Sequence, residues 1–91
     1  MIINIGNDIS IFRDDIIVIL DIKSTHQSKD TKEFIDNLIY NGFLVNNLDG
    51  DSVTYILTED NHSEKERNKK YKLYVSNISS TSLYKRINAE R

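Results

Sequence analysis

The feature that most constrains this chain is a nearly continuous apolar run over residues 16–22, in which Asp21 is the single polar residue. Its residues are mostly β-branched, and a strand without polar alternation is most easily buried on both faces. The run is far shorter than the roughly 20 apolar residues that a membrane helix needs. We therefore predict a buried central strand here, within a chain whose 91 residues suit one small domain.

Two further patterns flank this run. Isoleucines before and after a turn signal at residues 6–8 predict a pair of short strands. On the other side, Asp30 and Glu33 have the spacing of a capping box, and the apolar residues that follow share one helical face. Because Gly42 is a natural helix stop, we predict an amphipathic helix from about Asp30 to about Asn41.

The second half of the chain predicts more strands and a closing helix. An Asp-Gly turn signal at residues 48–52 indicates a hairpin, and residues 59–70 are nearly all polar, which indicates a long, solvated loop. Ser79 or Ser80 can cap the closing helix. Strand patterns are found at residues 43–45, 53–58 and 71–75.

These elements together predict the fold class. We expect residues 1–91 to form a single α+β domain. Its small, mostly antiparallel sheet would have about five strands, covered by one central amphipathic helix and a short C-terminal helix.

Composition and motifs exclude most catalytic chemistry. The chain has no cysteine and two histidines, which excludes a disulfide scaffold, a zinc finger and a cysteine nucleophile. It lacks a glycine-rich phosphate loop and the hydrolase and metalloprotease motifs. His26 and His62 lie in polar stretches, and the adjacent Asp14 and Asp15 would point to opposite faces of a strand. We therefore expect no enzyme activity, no cofactor and no metal site.

The N-terminal sequence and the absence of cysteine indicate a compartment. Residues 1–10 contain neither the basic nor the apolar segment of a signal peptide. The lack of cysteine agrees with a reducing environment. We expect a cytoplasmic protein that does not contact a membrane.

Charge is divided unevenly along the chain. Residues 1–58 carry four basic and nine acidic side chains, whereas residues 59–91 carry eight basic and five acidic ones. A basic second half is typical of a nucleic-acid surface, but a solvated loop has the same composition. Charge alone therefore leaves both interpretations open.

Three segments, in this order, resemble a known family. They are residues 3–8 (INIGND), residues 19–34, which include ILDI and SKDTKEF, and residues 75–86 (VSNISSTSLYKR). Together they resemble the RemB branch of the bacterial extracellular matrix regulators, small cytosolic proteins related to RemA. The resemblance covers essentially the whole chain.

The resemblance implies a DNA-binding regulator of biofilm-matrix genes that assembles into homo-oligomeric rings. Such binding would depend on phosphate contacts and DNA bending more than on base readout. In this chain the basic residues that would contact DNA are Arg13, Arg67, Lys69, Lys70, Lys85 and Arg86.

One departure from the family favours an alternative function. RemA-type chains carry an arginine pair after a loop glycine, whereas Asp51 and Ser52 follow the matching Gly50 here. The alternative is an oligomeric interaction module that binds no DNA and docks a protein, with a RemA-like protein as one candidate partner. The acidic first half would suit a basic protein surface.

Overall fold

The structure, a computed structural model, describes residues 1–47, 49–60 and 70–89. Within these ranges the chain forms two antiparallel sheets, one of two strands and one of three, together with three helices. The predicted α+β class with a small antiparallel sheet is confirmed. The elements are β1 (Ile2–Asn4), β2 (Ser10–Phe12), β3 (Ile16–Asp21), α1 (Ile22–Thr25), α2 (Lys29–Tyr40), β4 (Thr54–Glu59), β5 (Tyr71–Ser76) and α3 (Ser80–Asn88).

The central strand of the larger sheet is β4, which pairs antiparallel with β3 on one side and with β5 on the other. Its first five residues are all buried, whereas in β3 only Ile19 is buried and Ile17 is 48% exposed. The prediction that residues 16–22 form a buried central strand is therefore wrong. They form an edge strand that ends at Asp21. The prediction failed because an apolar composition favours burial but does not determine where a strand lies in the sheet.

Two threonine hydroxyls make the central position of β4 possible. Thr54 Oγ1 donates to the carbonyl of Ile78 at 2.7 Å, and Thr58 Oγ1 donates to that of Lys72 at 3.3 Å. A buried hydroxyl is costly unless it is hydrogen-bonded. The polar alternation of β4 is therefore compatible with burial on both faces.

The two faces of β4 contribute to separate apolar clusters. Ile56 packs with residues of β1, β2, β3 and α3, whereas Tyr55 and Leu57 pack with Ile35 of α2 and with β5. The three-stranded sheet therefore lies between α2 on one face and the β1-β2 hairpin with α3 on the other. The first cluster contains Ile3, Ile5, Ile11, Ile19, Ile56 and Leu83. The second contains Ile35, Tyr55, Leu57, Leu73 and Val75.

The N-terminal hairpin is held to the sheet by a buried serine. Ser76 Oγ donates to the carbonyl of Ile5 at 2.6 Å and accepts from the amide of Ile78 at 2.9 Å. The predicted turn at residues 6–8 is confirmed, and its three residues have positive φ values of 93°, 54° and 60°. Glycine, asparagine and aspartate are the residue types that adopt this conformation most readily.

Helix α2 begins and ends within one residue of the predicted bounds, but its cap differs from the prediction. Its N-cap is Ser28, whose Oγ accepts from the amide of Thr31 at 3.4 Å, so the predicted capping box of Asp30 and Glu33 is wrong. Gly42, with a φ of 84°, ends the helix. The amides of Gly42 and Phe43 donate to carbonyls of the last turn, which is the Schellman arrangement.

Helices α1 and α3 are each capped at the N-terminus by a short polar side chain. The short helix α1, which the sequence analysis did not predict, is capped by Asp21, whose Oδ2 accepts from the amide of Ser24 at 2.9 Å. Of the two candidate caps for α3, the structure uses Ser79, whose Oγ accepts from the amide of Ser82 at 3.2 Å. In both caps a short polar side chain accepts a hydrogen bond from the backbone amide three residues later.

Residues 43–45 do not form a hairpin with β4, contrary to the prediction. Leu44 makes one parallel bridge with Leu73 of β5. The amide of Val45 donates to the carbonyl of Leu73 at 2.8 Å, and the amide of Leu73 donates to that of Phe43 at 2.9 Å. Because β3 and β5 already pair with both sides of β4, this segment lies along the outer side of β5 instead.

The side chain of Asn46 extends this pairing. Its Nδ2 donates to the carbonyl of Val75, and its Oδ1 accepts from the amide of Val75, both at 2.8 Å. Of the turn predicted over residues 48–52, residue 48 lies outside the described part, and residues 49–52 form a turn in which the amide of Ser52 donates to the carbonyl of Asp49 at 3.2 Å. This turn precedes β4, which is separated from residues 43–46 by β5. The predicted loop over residues 59–70 begins where β4 ends, and residues 61–69 lie outside the described part.

Replacing Ser76 by alanine is expected to destabilise the fold. The change leaves the carbonyl of Ile5 and the amide of Ile78 without this buried partner, at a cost of about 1–3 kcal/mol. Urea denaturation would measure it. The exposed Ser10, replaced by alanine, is the matched control and should change the free energy of unfolding by less than about 0.5 kcal/mol. Equal effects of the two variants would contradict the role of Ser76.

Stability is also expected to fall at high pH. Burial raises the pKa of Tyr55 and of Tyr74, and the carboxylates of Asp36 and Asp15 raise them further. A folded-state pKa above the unfolded value, which is about 10, leaves stability intact below that pH. Stability is then lost as the pH rises through the folded value, because the unfolded chain ionises more easily.

Urea midpoints measured between about pH 8 and about pH 11 would test this dependence. The Tyr74→Phe variant, which removes one of the two ionisations, should lose less stability over that range. A midpoint that stays constant across the range in the original chain would contradict the prediction.

Candidate functional site

Four of the six predicted DNA-contacting residues lie in the described part of the chain. Arg13 is in a 3-10 turn, Arg13–Asp15, before β3, and Lys70 directly precedes β5. Lys85 and Arg86 are in the last turn of α3. The other two, Arg67 and Lys69, lie outside the described residues.

The sheet register places Arg13 and Lys70 at the same end of the molecule. Because β3 and β5 are both antiparallel to β4, they begin where β4 ends: Ile16 is opposite Thr58, and Tyr71 is opposite Glu59. We call this the Glu59 end of the sheet. Basic residues 57 positions apart in sequence are therefore brought together by strand pairing.

The last turn of α3 also lies at the Glu59 end. A groove of about 370 Å³ is lined by Arg13 and the start of β3 on one side and by Tyr84, Ile87 and Asn88 on the other. Lys85 is exposed in the same helical turn. The structure thus places Arg13 and Lys70 at one end of the sheet, and the last turn of α3, which contains Lys85, lines a groove beside Arg13.

Arg86 points in a different direction from Lys85. Successive residues of a helix are about 100° apart around its axis, and the Nη1 of Arg86 donates to the carbonyl of Asn4 in β1 at 2.9 Å. This bond links α3 to the N-terminal hairpin. Arg86 therefore has a structural contact in addition to the DNA contact predicted for it.

Acidic side chains share the Glu59 end with these basic ones. Asp14 and Asp15 belong to the 3-10 turn, Glu59 is the last residue of β4, and Asp60 follows it. A second groove, of about 320 Å³, is lined in part by Asp15, Asp60 and Lys72. The described residues at this end therefore present mixed charge.

This clustering of carboxylates was not predicted from the sequence. The two pairs, Asp14 with Asp15 and Glu59 with Asp60, lie more than 40 residues apart. The signal that could have revealed it is the antiparallel pairing of β3 with β4, which sets the start of one strand beside the end of the other.

The turn in which this chain differs from the RemA pattern, after Gly50, lies at the opposite end of the sheet. Asp51 and Ser52 precede the start of β4, where Thr54 is opposite Asp21. The turn is closed by Asp49, whose Oδ1 accepts from the amide of Asp51 at 2.9 Å. The six residues of β4 separate it from the Glu59 end by about 20 Å. The basic residues of the Glu59 end and this turn therefore belong to different surfaces.

An apolar edge is the other prominent feature of the described surface. Within the described residues, no strand pairs with the outer edge of β3. Ile17, beside an irregularity in the β3-β4 pairing, projects between the 370 Å³ groove and a mostly apolar groove of about 500 Å³ on the other face. The second groove is lined by Ile17, Phe34, Leu38, Leu57, Glu59 and Tyr71.

Neither a metal-binding cluster nor a membrane-spanning helix is found among the described residues. Residues 1–47, 49–60 and 70–89 contain no group of three or more histidine, cysteine or acidic side chains arranged to hold a metal ion. No helix in this part of the chain has the length and apolar character needed to cross a membrane.

Comparison with known proteins gives one match. The family described as RemA-like, extracellular matrix regulatory protein A-like, matches residues 2–87. No curated protein and no solved structure matches the chain. The family match covers nearly all of the 91 residues and agrees with the resemblance of the three sequence segments. The chain therefore belongs to the RemA-like family of extracellular matrix regulatory proteins.

Proposed function

We propose that this chain is a RemB-type, self-assembling regulator of extracellular matrix and biofilm genes that binds DNA without sequence specificity. Its membership of the RemA-like family supports the regulatory role and the absence of catalysis. The DNA-binding part rests on the shared position of Arg13 and Lys70 at the Glu59 end. The amide of Asp60 donates to the carbonyl of Lys70 at 2.9 Å, so the two described residues that flank positions 61–69 are neighbours at this end.

The chemistry of this end suits phosphate contacts. Exposed lysine and arginine side chains bind phosphate oxygens and release condensed counterions, which makes affinity depend steeply on salt. Phosphate contacts fix the position of a protein on a duplex and carry no sequence information. The carboxylates at the same end repel phosphate, so we expect binding that depends on several basic contacts and on assembly of several copies.

Anisotropy of a labelled AT-rich duplex tests the proposal. The affinity should fall by orders of magnitude between about 50 mM and about 200 mM salt if several phosphates are contacted. An absence of binding at the lower salt concentration would contradict DNA binding. Because wild-type protein is used, the measurement does not depend on how any variant folds.

Charge reversal at the Glu59 end should weaken this binding. The double variant Arg13→Glu, Lys70→Glu removes two basic side chains. The slope of the logarithm of affinity against the logarithm of salt concentration should therefore fall in magnitude by about two. The matched control is Lys29→Glu, Lys32→Glu, which makes the same charge change on exposed positions at the start of α2. If the two double variants bind equally, the Glu59 end is not the DNA surface.

A second candidate function is favoured by the acidic residues. Asp51 and Ser52 stand where the RemA resemblance implies an arginine pair, and Asp14, Asp15 and Asp60 lie at the Glu59 end. These features suit an oligomeric module that docks a protein with a basic surface and binds no DNA. Self-association without salt-dependent DNA affinity would support this candidate.

A further inference from the structure

Two dipeptides in this chain have sequences that favour a spontaneous rearrangement of the backbone. In Asn-Gly and Asp-Gly, the glycine nitrogen can attack the preceding side-chain carbonyl carbon, because glycine has no side chain to obstruct it. The chain contains one of each, Asn41-Gly42 and Asp49-Gly50. In an unfolded chain the asparagine site would react first, because the carboxyl group of aspartate is ionised at neutral pH and resists attack.

The structure protects the Asn41-Gly42 site. The Nδ2 of Asn41 donates to the carbonyl of Asn37 at 2.8 Å, and the amide of Gly42 donates to the carbonyl of Ile39 at 3.1 Å. Both reacting groups are therefore engaged in the end of helix α2. Attack would require these two bonds to break together, so we expect this asparagine to be stable in the folded chain.

The Asp49-Gly50 site is in the opposite situation. Both residues are exposed. Within the described part of the chain, the amide of Gly50 donates to no acceptor. A Cβ added to Gly50 would meet nothing within 4 Å, so the space around this residue is open. The attacking nitrogen is therefore available without unfolding.

The hydrogen bonds of the turn hold the carboxyl group of Asp49 beside that nitrogen. Its Oδ1 accepts from the amide of Asp51 at 2.9 Å, and this bond closes a ring that contains the Gly50 nitrogen. The Oγ of Ser52 donates to the same oxygen at 3.3 Å. Two donors on one oxygen stabilise the negative charge that develops there during attack, as the donors of an oxyanion hole do. The turn thus supplies both proximity and charge stabilisation.

We propose that Asp49 isomerises to isoaspartate in the folded chain, through a succinimide formed with Gly50. The Gly50 nitrogen forms a bond to Cγ of the protonated carboxyl group, and Oδ2 leaves as water with the amide hydrogen and the acid proton. Water then adds to the backbone carbonyl carbon of Asp49 and breaks its bond to the Gly50 nitrogen. The chain now continues through the former side chain, and its mass equals the original mass.

The rearrangement changes the turn that precedes β4. It adds one carbon to the backbone and takes the carboxylate away from its bonds to Asp51 and Ser52. The surface after Gly50, where this chain differs from the RemA pattern, therefore changes as the protein ages. The product is also a substrate for methyltransferases that esterify the carboxyl group of isoaspartate with a methyl group from S-adenosylmethionine.

Ageing of the folded wild-type chain tests the proposal. The protein is incubated for several weeks near neutral pH, and isoaspartate is located by peptide mapping and by enzymatic transfer of a labelled methyl group. Isoaspartate should accumulate at Asp49, preceded by a species that has lost one water, while Asn41 stays unchanged. Asp51, which a serine follows in the same exposed turn, is the internal control and should not isomerise.

The same incubation in guanidinium chloride shows whether the fold selects the site. In the unfolded chain the order should reverse, and Asn41 should deamidate before Asp49 changes. If the order is the same with and without denaturant, the structure does not select the site and the proposal is wrong.

Two variants test the parts of the turn. Gly50→Val places a branched side chain beside the attacking nitrogen and should abolish isoaspartate at Asp49. Ser52→Ala removes one donor to Oδ1 and should slow the reaction severalfold. A faster reaction in Ser52→Ala would mean that the turn restrains the site instead of promoting attack. Urea denaturation establishes that each variant is folded.

Two results on the wild-type chain alone would overturn the proposal. One is deamidation of Asn41 before isomerisation of Asp49 in the folded protein. The other is isoaspartate at Asp49 that does not exceed the amount at Asp51. Neither measurement involves DNA or assembly, so failure here is distinguishable from failure of the proposed function.

Discussion

Burial of β4 on both faces determines how the other elements of the fold are arranged. The strand contributes apolar side chains to both clusters, and the hydroxyls of Thr54 and Thr58 are satisfied by backbone carbonyls. Because β4 occupies the centre, β3 becomes an edge strand in spite of its apolar sequence. The outer side of β5 is left for residues 43–46, where Asn46 completes the pairing. Among the described residues, the exposed outer side of β3 is a consequence of this one arrangement.

Local features of the fold could be predicted from the sequence, whereas non-local ones could not. The turn at residues 6–8, the helix stop at Gly42 and the serine cap of α3 depend on neighbouring residues and on backbone conformation. Strand order depends on which strands pair over long separations. The isoleucines of residues 16–22 would suit the centre of a sheet or an edge that a partner covers, so their composition does not decide between the two. The side-chain amide of Asn46 pairs with Val75, which is 29 positions away in sequence.

The same division applies to the candidate site. The basic residues were visible in the sequence, but their common position at the Glu59 end follows from the antiparallel register of three strands. That register also brings carboxylates to the same end. Counting the charges in each half of the chain does not reveal this, because it does not show which residues become neighbours in the fold. The exposed edge at Ile17 was missed because the apolar run was assigned to the core. The exposed apolar edge and the basic residues therefore lie on different parts of this small chain, one along the outer side of β3 and one at the Glu59 end.

The most direct test is the mass of the wild-type chain in solution, measured by sedimentation velocity at low and high protein concentration. Because the apolar outer side of β3 is exposed among the described residues, we expect a mass well above 10.6 kDa that increases with concentration. A particle of 10.6 kDa at every concentration would contradict self-association, because this edge would then be stable in water without a partner.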